Sequence, residues 1–177
     1  WNRSVSNLIS KNDEKRLVER HLIESLEPAR WLKESNAMRW LDFGSGAGLP
    51  AIPLAIAGVG EHWTLVESRR TKTLFIRKAL QEIGLTGIDV VNGRLETLGG
   101  ESLNREFDGF TSRATLVLPP TLEIAAKFVV TGGSAFLWKG SRREDEMSDK
   151  AWASSWDFDG LLGIGDGQVA VARFRRK

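Results

Sequence analysis

Cysteine is absent from the 177-residue chain, which excludes disulfides, thiolate metal sites and cysteine nucleophiles. Histidine is scarce, and His21 and His62 lie too far apart to offer metal-ligand spacing. No apolar run approaches the ~20 residues that a membrane-spanning helix needs. The N-terminus is polar and carries no secretory h-region. These absences lead to the expectation of a cytoplasmic protein with no membrane partner and no metal. An excess of one charge is lacking too: the formal net charge of +2 is too small to argue for nucleic-acid binding by itself. The chain opens on Trp1 rather than Met, which leaves open a segment before it.

What is present is an ordinary globular balance, with 41% hydrophobic and 27% charged residues. The length suits one domain with a substantial core. Residues 1–177 are expected as that domain, with 1–35 as an N-terminal helical segment and 36–177 as the core. The basic residues are clustered. Arg69, Arg70, Lys72, Arg77 and Lys78 form one stretch, and Arg173, Arg175, Arg176 and Lys177 close the chain. Either cluster alone reads as a solvated face or a solubilising tail.

Residues 13–35 have apolar positions at three- and four-residue spacing and are expected as helix. Residues 37–43 read as a buried strand, ended by the glycine-rich run Gly44–Gly48. Pro50 suits the first turn of a helix reaching about Ala57. Strands are expected at 63–66, 88–91, 107–112 and 134–138, with Glu67 closing the first of these. Helices are expected at 70–83, with Gly84 as its cap, at 115–130 and at 142–151, and one helical turn at 94–98. The last part, 152–175, reads as an antiparallel hairpin turning at Asp166-Gly167. Strands alternating with helices imply an α/β fold, Rossmann-like, with a mostly parallel sheet covered on both faces. The hairpin then adds antiparallel structure at or near one edge.

The informative segment is Leu41-Asp42-Phe43-Gly44-Ser45-Gly46-Ala47-Gly48-Leu49-Pro50. It leaves the carboxyl end of the first strand, the edge at which open α/β sheets bind ligands. Dinucleotide sites want G-x-G-x-x-G, but here the third position is Leu49. The spacing is G-x-G-x-G, with Asp42 two residues ahead. Pro50 also removes an amide donor where a pyrophosphate would want one. Both facts favour S-adenosylmethionine over a nicotinamide cofactor, and Asp42 could face its cationic methionine end. Glu67 ends the second strand, where Rossmann-like sites place an acid for ribose hydroxyls. A tight turn without ligand and a strand-end charge are the plain alternatives for each alone.

Methyl transfer from a sulfonium needs alignment and exclusion of water from the protein. Carbon-5 pyrimidine methylation normally uses a cysteine, and there is none. Exocyclic adenine methylation commonly uses Asn/Asp-Pro-Pro-aromatic, whereas this chain has Leu118-Pro119-Pro120-Thr121. Guanine N7 carries a lone pair and no proton, so its methylation needs no general base.

Further segments have a recognisable order: Trp1-Asn2-Arg3, Asn7-Leu8-Ile9-Ser10, His21-Leu22-Ile23-Glu24-Ser25-Leu26, the loop with its Gly-Leu-Pro ending and Ile52-Pro53-Leu54, Gly93-Arg94-Leu95-Glu96, Phe107-Asp108, Ser112-Arg113-Ala114 and Leu137-Trp138-Lys139-Gly140. Together they resemble the bacterial 16S ribosomal RNA guanine-N7 methyltransferases, the RsmG or GidB family, over roughly the whole chain. The resemblance implies a class I methyltransferase fold and S-adenosylmethionine as cofactor. It also implies methylation of a guanine N7 in the decoding-region loop of 16S rRNA, presented by free rRNA or a partly assembled small subunit, by a monomeric enzyme. It would place Gly44, Gly46, Gly48 and Leu49 at the cofactor, Glu67 on its ribose, and Leu95 and Glu96 beside its adenine. Arg113 would stand beside the cofactor or the target guanine, Lys139 would be an active-site or RNA contact, and Asn7 would help shape the site. Many relatives have Asp where Glu67 stands, and Trp152 and Trp156 fit no motif.

Each role has a structural alternative. Arg113 could pair with Asp108 or Glu96, Lys139 could be a solvated strand end, and Asn7 could cap a helix. His21, Trp63 and Trp138 read more simply as packed residues. A small-molecule methyltransferase or a non-catalytic RNA-binding module on the same fold are the competing functions, since fold alone does not decide between them.

Overall fold

The structure, a computed structural model, describes residues 21–98, 103 and 107–177. Asn7, the other motif residues before His21 and the first part of the expected 13–35 helix lie outside the described residues.

Five strands run parallel in the body of the sheet: β1 (Arg39–Phe43), β2 (His62–Glu67), β3 (Ile88–Asn92), β4 (Phe107–Arg113) and β5 (Val129–Lys139). The C-terminal hairpin supplies β6 (Trp156–Ile164) and β7 (Val169–Arg176), antiparallel to each other, with β7 antiparallel to β5. The order is β3-β2-β1-β4-β5-β7-β6. The hairpin extends the sheet at one edge, as expected, with β7 on β5 and β6 outermost.

Neighbouring residues on the central strands feed opposite cores, as a sheet covered on both faces requires. Trp40, Phe136 and Val171 join one cluster, while Leu41, Leu137 and Ala172 join the other. In the first cluster Trp40 stacks on Trp63 at 5.1 Å, and their indole N–H groups donate to Ala37 O and Val59 O. Gly109 on β4 makes room for this pair, since a Cβ there would lie 2.4 Å from Trp40 Cδ2. In the second cluster Trp156 donates to Leu122 O and Trp152 packs edge-on against Phe174. The two tryptophans that matched no motif are therefore core anchors.

The helix α4 (Arg70–Ile83) has the expected bounds, and its apolar stripe buries Ile76 and Leu80. Gly84 ends it at φ 66, the left-handed geometry glycine adopts without penalty. Other helices are shorter than expected. The N-terminal segment is interrupted between α1 (Glu24–Leu26) and α2 (Ala29–Lys33), where Pro28 has no N–H to continue the ladder. The expected 115–130 helix reduces to α5 (Leu118–Ala125), because Val117 is extended and Pro119 and Pro120 occupy the first turn. Residues 142–151 give α6 (Arg143–Ser148), followed by a 3-10 turn at Ala151–Ser154. Pro50 precedes α3 (Ala51–Ile56). The hairpin turns through residues 165–168 with the expected Asp166-Gly167 at its centre: Ile164 pairs with Val169, and Gly165 and Gly167 take φ 56 and φ 82. Among the described residues no helix is long and apolar enough to cross a membrane.

Candidate functional site

A cleft of about 550 Å³ opens at the carboxyl ends of β1, β2 and β4. Its floor is the glycine loop. Gly44 N and Ser45 N both donate to Val66 O, at 2.9 and 3.1 Å, which ties the start of the loop to β2. Gly48 N and Leu49 N then close onto Ser45 O. Gly44 has φ 72, and a Cβ there would lie 2.3 Å from Thr115 Cγ2. Only glycine fits between the loop and the residue that walls the cleft opposite it.

Glu67 is 6% exposed and faces this cleft. Its Oε2 accepts from Gly46 N at 3.0 Å, and its Oε1 accepts from Arg69 N at 2.8 Å. One carboxylate thus joins the glycine loop to the entry of α4. Asn92, which the sequence did not single out, supports the same corner by donating to Glu67 O and Ser68 O.

The cleft brings together most of the expected residues: Gly44, Gly46, Leu49, Glu67, Leu95, Glu96 and Arg113 all line it. Gly48 and Asp42 do not. Asp42 is fully buried beneath the loop, its Oδ1 accepting from Thr111 Oγ1 at 2.7 Å. Burial pushes its carboxyl up to about 7; the Ser45 and Thr111 hydroxyls pull it down and the nearby Glu67 charge adds to the rise. Buried beneath the loop and absent from the cleft lining, it is not placed to face a cation there.

Arg113 ends β4 and is mostly buried. Its Nη2 meets Glu24 Oε2 at 2.6 Å and lies 3.2 Å from His21 Nδ1, and its Nη1 reaches His21 O and Ser25 Oγ. The partner is Glu24, neither Asp108 nor Glu96. Asp108 is instead engaged with the amides of Met38 and Arg39. His21 lines the cleft as well. Lys139 is 8% exposed and does not reach the cleft wall; its Nζ donates to Leu116 O and pairs with Glu146, both at 2.9 Å. Trp63 and Trp138 are core residues, with the Trp138 N–H donating to Glu24 O.

The two basic clusters have different fates. At the C-terminus, Arg173 pairs with Asp159, Lys177 with Asp157, and Arg176 donates to Ser155 O. In the first cluster, Arg77 donates to Val90 O and Lys78 pairs with Glu82. Arg69 and Lys72 of this cluster, by contrast, line the cleft, together with Arg94 from outside both clusters.

Similar proteins agree with this architecture. A solved S-adenosylmethionine-dependent methyltransferase from Aquifex aeolicus superposes with a TM-score of 0.72 at 15% identity, covering 94% of this chain and 99% of that one. The N-methyltransferase NodS from Bradyrhizobium japonicum, solved with S-adenosyl-L-homocysteine, gives a TM-score of 0.66 at 13% identity, covering 96% and 94%. At these identities the likeness shows a shared fold. In sequence, the ribosomal RNA small subunit methyltransferase G of Sorangium cellulosum is 37% identical over 149 residues, 84% of this chain and 62% of its own length. The protein of the same name from Dictyoglomus thermophilum is 32% identical over 164 residues, 92% of this chain and 66% of its own length. The chain thus spans a little under two thirds of the relatives it matches. The family described as GidB, rRNA small subunit methyltransferase G, matches residues 1–159, and the chain belongs to that family.

Proposed function

We propose that this protein transfers a methyl group from S-adenosylmethionine to N7 of a guanine in bacterial small-subunit rRNA. The observation that carries this reading is Glu67. In a chain of this family, its carboxylate is held by two backbone amides at the wall of a cleft whose floor is a glycine loop without room for a Cβ at Gly44. Such a floor suits close approach of a ligand to backbone, and such an acid suits ribose hydroxyls.

The residues present fit the cofactor. Glu67 would hold the ribose, Leu95 and Glu96 would flank the adenine, and Gly44, Gly46 and Leu49 would line the methionine side. When bound, the cofactor supplies a sulfonium methyl group to an in-line acceptor. Asp42 ties β1 to β4 through Thr111 and accepts from Ser45 Oγ of the loop at its backbone oxygen, and Gly48 shapes the loop. Arg113 holds the His21–Ser25 segment at the rim of the cleft, near where a target base would enter. Guanine N7 has no proton to remove, so the protein's task is to orient the base and exclude water. Arg69, Lys72 and Arg94 would meet phosphates beside the cleft, making RNA binding salt-sensitive. The compartment that fits an rRNA substrate, free or partly assembled, is the cytoplasm.

The test is transfer of labelled methyl from S-adenosylmethionine to bacterial 16S rRNA and to small subunits, with modified-base analysis by mass spectrometry. The expected product is 7-methylguanosine. Label on another nucleoside would refute the N7 assignment, and cofactor binding with no transfer to either RNA form would refute the rRNA substrate.

A further inference from the structure

The segment between β4 and α5 walls the cleft, yet little apolar burial holds it. Leu116 and Val117 are 40% and 48% exposed. Its preceding residue Ala114 has φ 54, a left-handed conformation that a non-glycine residue keeps only when its surroundings enforce it. Thr115 presses toward Gly44 on one side. On the other side a polar group grips the backbone. Glu146 Oε2, from α6, accepts from Leu118 N at 2.8 Å. The same oxygen lies 2.9 Å from Lys139 Nζ at the end of β5, and Lys139 Nζ donates to Leu116 O at 2.9 Å.

We infer that Glu146 and Lys139 form a clamp that fixes residues 114–118 against the glycine loop and so sets the shape of the cofactor cleft. Both are positioning residues, and the inference rests on the methyltransferase reading for its functional consequence. The physical case is one of accounting for polar groups. Leu118 N is an orphan donor at the start of a helix, and Leu116 O is a loop carbonyl with no strand to pair with. A single ion pair satisfies Leu118 N and gives Leu116 O its shorter bond, at 2.9 Å beside 3.3 Å from Thr121 Oγ1. The Lys139 and Glu146 side chains are 9% and 17% exposed, so solvent competes weakly for the bonds and the pair is more directional than a surface salt bridge. Removing either charge leaves the other half-buried without its partner. The remaining group then turns toward solvent, and the loop is released.

The clamp couples α6, which does not touch the glycine loop, to the width of the cleft. It also gives Lys139 a role without contact to a base. Both members act through the same loop, so their effects must overlap.

The experiment uses the full chain with Glu146→Ala, which removes the acceptor of Leu118 N, Lys139→Met, the double variant and the conservative Lys139→Arg. The first readout needs no ligand: amide hydrogen exchange across 114–118. The second is the affinity for S-adenosylhomocysteine by calorimetry. Faster exchange at Leu118 is expected in Glu146→Ala and Lys139→Met, with roughly tenfold weaker binding in each. The double variant should be no weaker than the poorer single, melting should fall in the singles because each strands a buried charge, and Lys139→Arg should keep both readouts near wild type. Unchanged exchange in both single variants would overturn the clamp, as would losses of affinity that multiply in the double. A wild-type chain that failed to bind S-adenosylhomocysteine would overturn the methyltransferase reading, and the exchange data would still decide the clamp.

Discussion

Arg113 Nη2 lies 2.6 Å from Glu24 Oε2, joining the end of β4 to a helical segment 89 residues earlier in the chain. Both side chains are less than a fifth exposed, so the pair is a fixed part of the cleft's rim. Two roles for Arg113 are separable. As a latch it would act through the segment it holds, with Glu24, His21 and Ser25 among its contacts. As a substrate contact it would matter more than any of them. Arg113→Ala is expected to lower methyl transfer roughly a hundredfold and to reduce stability by roughly 1–3 kcal/mol. Glu24→Gln, which keeps an acceptor, should cost much less activity. Equal losses in single-turnover assays of the two variants would assign Arg113 the latch role alone.

The glycine loop makes a second pair of variants informative. Gly44 and Gly46 both have positive φ, but a Cβ on Gly44 would strike Thr115 at 2.3 Å, whereas one on Gly46 would meet nothing closer than Gly44 O at 3.8 Å. Gly46→Ala should therefore carry only the left-handed backbone penalty, about 1–2 kcal/mol. Gly44→Ala should carry that and displace the Thr115 wall. Calorimetry with S-adenosylhomocysteine is expected to show binding lost in Gly44→Ala and weakened in Gly46→Ala. The reverse order would mean that the wall can yield.

These residues were legible because their signals are local. The 3.6-residue period of 70–83 with Gly84 after it gave α4, and glycines between a strand and a helix gave the cleft floor, with Glu67 at the next strand end. Residues joined across long sequence separations were not legible. Pairing with Asp108 or Glu96 is the structural alternative that the sequence offers Arg113, but only the folded chain reveals that backbone amides occupy Asp108 and that Glu24 meets Arg113. Glu146 sits among charges in 142–151 and reads as one more solvated acid, although it accepts from the first amide of α5. Asp42 read as a cofactor contact because it precedes the loop. Its position on a strand covered on both faces turns it inward, and its burial is complete.

Buried Asp42 gives a pH dependence with a definite sign. Unfolded, its carboxyl ionises near 3.8; folded, burial raises this to about 7. Between these values the native state binds the extra proton, so this group's contribution to stability is fully present below 3.8 and lost as pH rises through 7. The loss is on the order of 4 kcal/mol. Asp42→Asn cannot ionise and keeps an oxygen for the Thr111 hydroxyl. Denaturant titrations should show the variant gaining on wild type between about pH 4 and about pH 8, then no further change. A constant difference over that window would mean that Asp42 is ionised in the folded protein throughout.

The basic residues supply the last prediction, because the structure separates cations that the sequence only counts. Arg173 and Lys177 are paired with Asp159 and Asp157, and Arg176 donates to Ser155 O, so engaging phosphates would first break these contacts. Arg69, Lys72 and Arg94 instead line the cleft that would take the target base. Each phosphate contact releases counterions, and its loss reduces the slope of log affinity against log salt by about 0.7–0.9. Arg69→Ala, Lys72→Ala and Arg94→Ala should each lower that slope for 16S rRNA fragments, with Lys72→Ala leaving S-adenosylhomocysteine affinity near wild type. Arg173→Ala and Lys177→Ala should leave the slope unchanged, although Arg173→Ala also removes stacking on Trp31 and Phe136 and should lower the melting temperature. If the slope falls only in the C-terminal variants, the RNA crosses the hairpin side of the sheet, and the cations at the cleft serve the cofactor instead.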